Sequence, residues 1–250
     1  MSSLAVGGVV FACVFGGALL GIFIRTVLPD HHRSTESKDI VKLGMGLVAT
    51  MAALVLGLLI ASAKGSYDAR ANEITQLSAN FVLLDRVMAH YGPDTKDARD
   101  LLRRAVVDML DQLWPGDRSR PAQVVPTGRA EGLYDLIQAL SPQNDAQRSL
   151  QAQALSIGLT IAQARWLLAA QSRRSIPMAF LVLLVAWVAI LFVSFGLFAP
   201  SNATVIAALL VCALSVSSAI FLILELDQPF SGLIQISSAP MRETLAQLGR

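Results

Sequence analysis

Four long apolar stretches break up the pattern of polar and apolar positions along the chain. Residues 4–24, 43–63, 176–199 and 202–224 contain no charged side chain. Each is long enough to cross about 30 Å of hydrocarbon, which takes roughly 20 residues of helix. The start of the chain, Met1-Ser2-Ser3, lacks the basic residues of a signal peptide. The pattern therefore predicts a retained first span and two transmembrane hairpins, residues 1–63 and 176–224.

Between residues 64 and 175 the chain becomes polar, and its apolar positions repeat with a helical period. A near-heptad seam predicts a helix here; it comprises Ile74, Leu77, Phe81, Leu84, Met88 and Tyr91. No proline lies between Ile40 and Tyr91. The second span is therefore predicted to continue beyond the membrane as one helix on the order of 75 Å long.

Proline and glycine clusters divide the rest of the polar segment. Gly92-Pro93-Asp94 is predicted to end the long helix, with Asp94 or Thr95 capping the next helix, which runs to Trp114. A loop at 115–129 and helices at 131–140 and 144–174 follow, the last leading into the third span. The predicted fold is an all-α membrane protein with four transmembrane helices. A helical bundle at 64–175 extends spans two and three, and a post-span turn and C-terminal helix occupy 225–250.

Composition supports a membrane protein and excludes several other classes. The chain is 54% hydrophobic and 15% charged, with a mean hydropathy of +0.56, which is more apolar surface than one soluble core of this size buries. A net charge of +2 without a basic run argues against a nucleic-acid partner. Cys13 and Cys212 lie inside apolar stretches, so no disulfide framework is expected.

Neither a metal nor a cofactor is predicted. Asp30-His31-His32 with Glu36 is the one group that could be drawn as a metal site. Adjacent histidines in a polar loop are more often simply solvated, and that interpretation is preferred. The sequence also lacks a nucleophile elbow, a P-loop, a dinucleotide-binding fingerprint and a zinc-protease motif, so enzymatic activity is not expected.

The basic residues near the spans predict an orientation. Four Lys or Arg residues flank the membrane at 25–42, and six flank it on the other side. The positive-inside rule then places 64–175 and both termini in the cytoplasm and 25–42 outside. The sequon Asn202-Ala203-Thr204 lies against the start of a span, where glycosylation is implausible, and we interpret it as chance.

Two spans carry rows of small residues, which allow helices to approach closely in lipid. The row on the second span comprises Ala49, Ala53, Gly57 and Ala61, and the first span carries Gly17 and Gly21. Such rows most often pack helices within one subunit, and packing between subunits around a pore is the alternative. The opposite face of the second span presents Met51, Val55 and Leu58, which could meet lipid, another helix or a channel axis.

The absence of charge inside the spans limits the mechanism. Proton relays and voltage sensors need ionisable side chains at membrane depth, and none occurs within the four stretches. A channel constriction that closes by losing its water needs only apolar side chains.

The segment that begins at the end of the fourth span, Glu225-Leu226-Asp227-Gln228-Pro229-Phe230-Ser231-Gly232, resembles the segment after the last span of bestrophins. With the Gly46-Leu47-Val48-Ala49-Thr50 run and Leu84-Asp85-Arg86, it makes the whole chain similar to the bacterial bestrophin-like domain family of membrane proteins. Animal bestrophins follow the motif with an acidic run that chelates calcium. Here Leu233-Ile234-Gln235-Ile236 follows instead, so the resemblance carries no calcium site.

The resemblance implies a homopentameric ion channel of the bacterial inner membrane with cytoplasmic termini. Its second span would line a narrow neck, with Met51, Val55 and Leu58 as constriction candidates. Glu225, Asp227, Pro229, Phe230 and Gly232 would form the post-span turn. The expected partners are membrane lipid, small ions with anions as the expected class, and further copies of the chain. The alternative is a non-conducting scaffold or sensor whose bundle binds a partner protein.

Overall fold

The computed structural model describes residues 3–27, 35–115, 129–170, 178–200 and 202–249. These residues form helices and connecting turns without a strand. In chain order the helices are α1 (Ser3–Val27), α2 (Thr35–Tyr91), α3 (Lys96–Leu113), α4 (Arg129–Gln138), α5 (Asp145–Ala170), α6 (Met178–Phe198), α7 (Ala203–Leu226) and α8 (Ala239–Gln247).

Four of these helices are long and apolar enough to cross a membrane: α1, the first half of α2, α6 and α7. This confirms the prediction of an all-helical chain with four candidate spans. The histidine pair of the 28–34 segment, the loop at 116–128 and the predicted passage from α5 into the third span at 171–177 lie outside the described residues.

Contacts divide the chain into two compact units. The first comprises Met1–Ser66 and Ser175–Asp227, and the second comprises Tyr67–Arg174 and Gln228–Arg250. The first unit therefore contains all four candidate spans. The second contains the rest of α2, helices α3 to α5, and the C-terminal segment with α8.

In the first unit α1 packs closely against α6 because small residues meet at the crossing. A Cβ atom added to Gly21 would lie 2.0 Å from the carbonyl oxygen of Val193, and one added to Gly196 would lie 2.1 Å from that of Ala18. Gly17 lies at the same crossing, with the Ala189 carbonyl 3.1 Å from such an atom. The helices are thus in backbone contact, which residues larger than glycine would prevent.

Arg25 and Asn202 secure helix ends in the same unit. The guanidinium of Arg25 donates a hydrogen bond to the carbonyl of Ala199, just after α6. The side-chain oxygen of Asn202 accepts from the backbone N–H of Val205 at 2.9 Å and caps α7. The sequon asparagine therefore has a structural task at the start of the helix.

Helix α2 is a single element of 57 residues, about 85 Å long at 1.5 Å per residue. This confirms the predicted unbroken helix, which begins at Thr35 rather than near Ile40. The seam residues of its second half are all buried in the core of the second unit. Burial of that seam, rather than helix propensity, is what holds so long a helix.

The end of α2 differs in detail from the prediction. Gly92 ends the helix with a φ of 130°, a conformation that favours glycine. Thr95 occupies the N-cap position of α3, but its side chain makes no capping bond to that helix. Its hydroxyl instead donates backward, to the carbonyl of Met88 (2.7 Å) or of Gly92 (2.8 Å). These two carbonyls also accept from the backbone N–H groups of Gly92 (3.4 Å) and Thr95 (3.3 Å), so the hydroxyl adds a shorter bond at the end of α2.

The core of the second unit is formed by apolar faces of α2 to α5 with part of α8. Two glutamines of α5 satisfy helix ends around it. The amide of Gln147 donates to the carbonyl of Tyr91 at 3.1 Å, and that of Gln151 donates to the carbonyls of Ile137 and Leu140 at 2.9 and 3.0 Å. Buried helix ends need such partners, so both glutamines fix where α2 and α4 stop.

Candidate functional site

The membrane half of α2 is the least covered of the candidate spans. In its most apolar window 11% of the residues are buried within the chain, against 22% to 28% in α1, α6 and α7. The residues it does bury, Ala52, Leu59 and Ala63, lie along one side. The opposite half of this helix is therefore exposed in a single chain.

Both faces singled out from the sequence lie in or beside that exposed half. Met51 is 43% exposed and Leu58 is 69% exposed, whereas Val55 at the edge is half-buried. Ala53, Gly57 and Ala61 are exposed and Ala49 is half-buried. At about 100° per residue the two faces are centred about 150° apart around the helix. Ala53, Gly57 and Ala61 are therefore left uncovered by the described part of the chain, unlike Gly17 and Gly21.

The post-span turn is ordered. Glu225 and Asp227 are each only 4% exposed, and both interact with other groups of the chain. Pro229 is buried, and its carbonyl accepts a 2.8 Å hydrogen bond from the N–H of Ile236, which closes the turn. Gly232 at its tip has a φ of 106°. The segment thus folds back on itself before α8 begins.

Two aromatic side chains that sequence reasoning did not assign to this site hold the turn. The indole N–H of Trp114 donates to the carbonyl of Ile236 at 2.8 Å, and its ring meets the ring of Phe230 edge-on at 5.8 Å. The hydroxyl of Tyr67 donates to the carbonyl of Gln235 at 3.2 Å. From the sequence, Trp114 was interpreted only as the end of α3. The available signal was its indole N–H, because a buried tryptophan usually donates to a partner.

A partly buried ion pair joins α2 to α3. Asp85 is 1% exposed and accepts two bonds from Arg99, at 2.7 Å from Nε to Oδ1 and at 3.1 Å from Nη2 to Oδ2. The hydrogen bond to Asp85 raises the pKa of the Arg99 guanidinium. The backbone N–H of Gly249 also donates to Asp85, at 3.3 Å. Asp85 thereby ties α2, α3 and the end of the C-terminal segment together.

The second unit also buries basic side chains. Arg70 and Arg165 are both largely buried and both interact within the chain. Burial lowers the pKa of the Arg165 guanidinium. Arg173 and Arg174, which we expect to pair with Asp227, lie outside the described residues. That pairing stays a prediction.

The described residues contain no group of three or more His, Cys, Asp or Glu side chains that could hold a metal ion. Glu36 belongs to α2, but its side chain is outside the described part of the chain. What the described residues do provide is an apolar, largely uncovered α2 face and a hydrogen-bonded, partly buried turn after α7.

Comparison with known proteins is consistent with this architecture. A model of the bestrophin-like domain matches residues 12–241. No curated protein and no solved structure matches the chain. The matched region runs from within α1 to the start of α8 and includes the second, third and fourth candidate spans with the larger part of the first. The chain is therefore a membrane protein that belongs to the bestrophin-like family.

Proposed function

We propose that the protein is a bestrophin-like oligomeric channel for small ions, with anions as the expected class. Five copies surround a pore lined by α2, and Met51, Val55 and Leu58 form its apolar constriction. The bundle and both termini face the cytoplasm of a bacterial cell, with the spans in the inner membrane. The observation that carries the proposal is the exposed half of α2, which has two distinct faces for two distinct neighbours.

An apolar constriction can close the pore by losing its water. The side chains of Met51, Val55 and Leu58 offer water no strong hydrogen bonds, so a narrow ring of them loses its water readily. An ion cannot pass such a ring because it would have to give up its hydration shell. Flux then requires that the ring widen or gain polarity. No charged residue is needed at the constriction, which agrees with its absence from the four spans.

The small-residue row gives the second face a task. Lipid tails are as apolar as the helix surface, so the hydrophobic effect does not drive helices together within the membrane. Helices associate instead where small residues let their backbones come close. Ala53, Gly57 and Ala61 are exposed in the single chain. In the proposed assembly they contact the neighbouring subunit, while the constriction face points to the axis.

Anion flux into liposomes tests the constriction. Val55→Ser and Met51→Ser should each raise flux above wild type, because a hydroxyl keeps the ring wetted. Val211→Ser is the matched control, since Val211 is an exposed apolar residue of α7 outside the proposed pore. Background flux for wild type and both α2 variants, in preparations of shown oligomeric state, would contradict the channel. An equal rise in Val211→Ser would remove the constriction from α2.

Assembly is tested by native mass measurement in detergent. Wild type is expected as a pentamer. Ala53→Leu should shift the population towards smaller species, because the larger side chain separates the helix backbones. Leu54→Ala changes size at an exposed position next to the row and is expected to leave assembly intact. A wild-type monomer or dimer would refute the pentamer.

One observation favours the alternative of a scaffold or sensor. Trp166 on α5 is 62% exposed, and Leu159 and Leu167 are also exposed, an unusual amount of apolar surface for a bundle helix. A partner protein could cover it. The two functions separate in the flux assay, because a scaffold stays at background even when the constriction carries serine.

A further inference from the structure

Animal bestrophins follow the Pro-Phe motif with a calcium clasp, so the fit of this chain to such an ion can be tested on its own residues. Calcium is bound by oxygen ligands, namely carboxylates and free carbonyls. The acidic run is absent here, so the oxygens of this segment that could serve are the main-chain carbonyls of 228–237 and the side-chain amide oxygens of Gln228 and Gln235.

Five of those ten main-chain carbonyls accept hydrogen bonds from donors of the protein. Within the turn, the N–H of Ser231 donates to Gln228 O at 3.1 Å, and the N–H of Ile236 donates to Pro229 O at 2.8 Å. The side-chain amide of Gln235 donates to Gly232 O at 3.1 Å. Each of these bonds occupies a lone pair of an oxygen that a cation would have to recruit.

Donors from two other helices take the next carbonyls. Tyr67 of α2 donates to Gln235 O and Trp114 at the end of α3 donates to Ile236 O, at 3.2 and 2.8 Å. Ile236 is also buried, with 5% of its surface exposed. The bond to Ile236 O is therefore partly shielded from water and costly to break, whereas the bond to Gln235 O lies at the surface.

We propose that this turn is fixed without a metal ion, and that the N–H of Trp114 and the O–H of Tyr67 take the place of the cation. A divalent ion draws several carbonyls to one point. Here two side-chain donors, one on α2 and one at the end of α3, each bind one of two successive carbonyls of the turn. The order of the turn is then independent of calcium and set by aromatic residues. This inference holds whether or not the chain conducts, so it stands or falls separately from the channel.

Hydrogen exchange of the full-length protein in nanodiscs of uncharged phosphatidylcholine tests it directly. The amide of Ile236, which closes the turn, is the reporter. Wild type should exchange at the same rate in excess EDTA and in millimolar Ca²⁺. Trp114→Phe keeps an aromatic ring beside Phe230 but removes the donor, so exchange across 229–237 should rise about tenfold. Tyr67→Phe should raise it less, because its bond is longer.

Trp166→Phe is the matched control, being the same substitution at an exposed position of α5, and it should leave the turn unchanged. Protection of core amides in α2 and α3 shows whether each variant is folded. If Trp114→Phe loses core protection, Tyr67→Phe decides the matter, since it removes only a hydroxyl. Protection of the turn by Ca²⁺ in wild type, or unchanged exchange in a folded donor variant, would overturn the proposal.

Discussion

The crossing of α1 and α6 gives the sharpest quantitative prediction. Replacing Gly21 with alanine adds one carbon atom that would lie 2.0 Å from Val193 O and 2.9 Å from Leu197 N. Both contacts are with backbone, which cannot turn aside as a side chain can. To restore a separation of about 3 Å, α1 and α6 must move apart by about 1 Å, and the contacts along their crossing loosen with them.

The expected cost follows from that shift. Overpacking of a close interface typically costs about 1 to 3 kcal/mol, and the two backbone contacts of Gly21 place it at the upper end. Gly16→Ala is the matched control on the same helix, because an added Cβ there meets nothing within 4 Å. Alanine is favoured over glycine in a helix by about 1 kcal/mol, so Gly16→Ala should be neutral or stabilising. Identical chemistry is thus expected to have opposite signs five residues apart.

Thermal unfolding in detergent, followed by the loss of the folded peak in size-exclusion chromatography, measures both variants. Gly21→Ala should melt roughly 5 °C or more below wild type and Gly16→Ala at or above it. Gly196→Ala, which would place its Cβ 2.1 Å from Ala18 O, should behave like Gly21→Ala. The double variant should cost less than the sum, because the first substitution already separates the helices. Equal melting of Gly21→Ala and Gly16→Ala would refute the close crossing.

Five further predictions address the bundle and the topology. Asp85→Asn should destabilise the protein by about 2 kcal/mol because it weakens a partly buried pair of charge-assisted hydrogen bonds, as measured by chemical unfolding against Asp111→Asn at an exposed site. Since pairing raises the pKa of Arg99, the stability it adds is present below the unfolded-state pKa. The difference between wild type and Arg99→Gln should therefore stay constant from about pH 7 to about pH 10, and a decline within that range would contradict the pairing. Tyr91→Phe should be neutral or slightly stabilising in the same assay, because its buried hydroxyl has no hydrogen-bond partner among the described residues. In a Cys13→Ala, Cys212→Ala background, an impermeant thiol reagent added outside should label Ser37→Cys but not Ser119→Cys, and the reverse would invert the topology. A double-mutant cycle of Asp227→Asn with Arg174→Gln should reveal coupling, and strict additivity would exclude that pair.

The helices were predictable because their signals are periodic and long. Uncharged stretches indicated the spans, and the seam from Ile74 to Tyr91 required the continuation of α2. The glycines of α1 were recognisable as packing residues by their spacing. Their partner Gly196 was not, because a lone glycine in α6 carries no spacing and only the crossing gives it meaning.

Side-chain donors were the least predictable part. Trp114 and Tyr67 bond to backbone carbonyls 122 and 168 residues away in sequence, and no local pattern encodes such a contact. The capping rule failed at Thr95 because its hydroxyl donates to carbonyls at the end of α2 instead of accepting from the first turn of α3. The use of the small-residue row on α2 was also undecidable from spacing, since packing within and between subunits asks for the same residues.

The buried positions of α2 form one continuous stripe, which has a consequence for how this family can vary in length. Ala52, Leu59, Ala63, Ile74, Leu77, Phe81, Leu84 and Met88 are buried at steps compatible with a three-four repeat. One inserted residue would rotate everything after it by about 100°, whereas seven would restore the angle to within about 20°. Relatives should therefore gain or lose residues freely in their loops. Along α2 we expect insertions and deletions only in steps of about seven residues, or two helical turns.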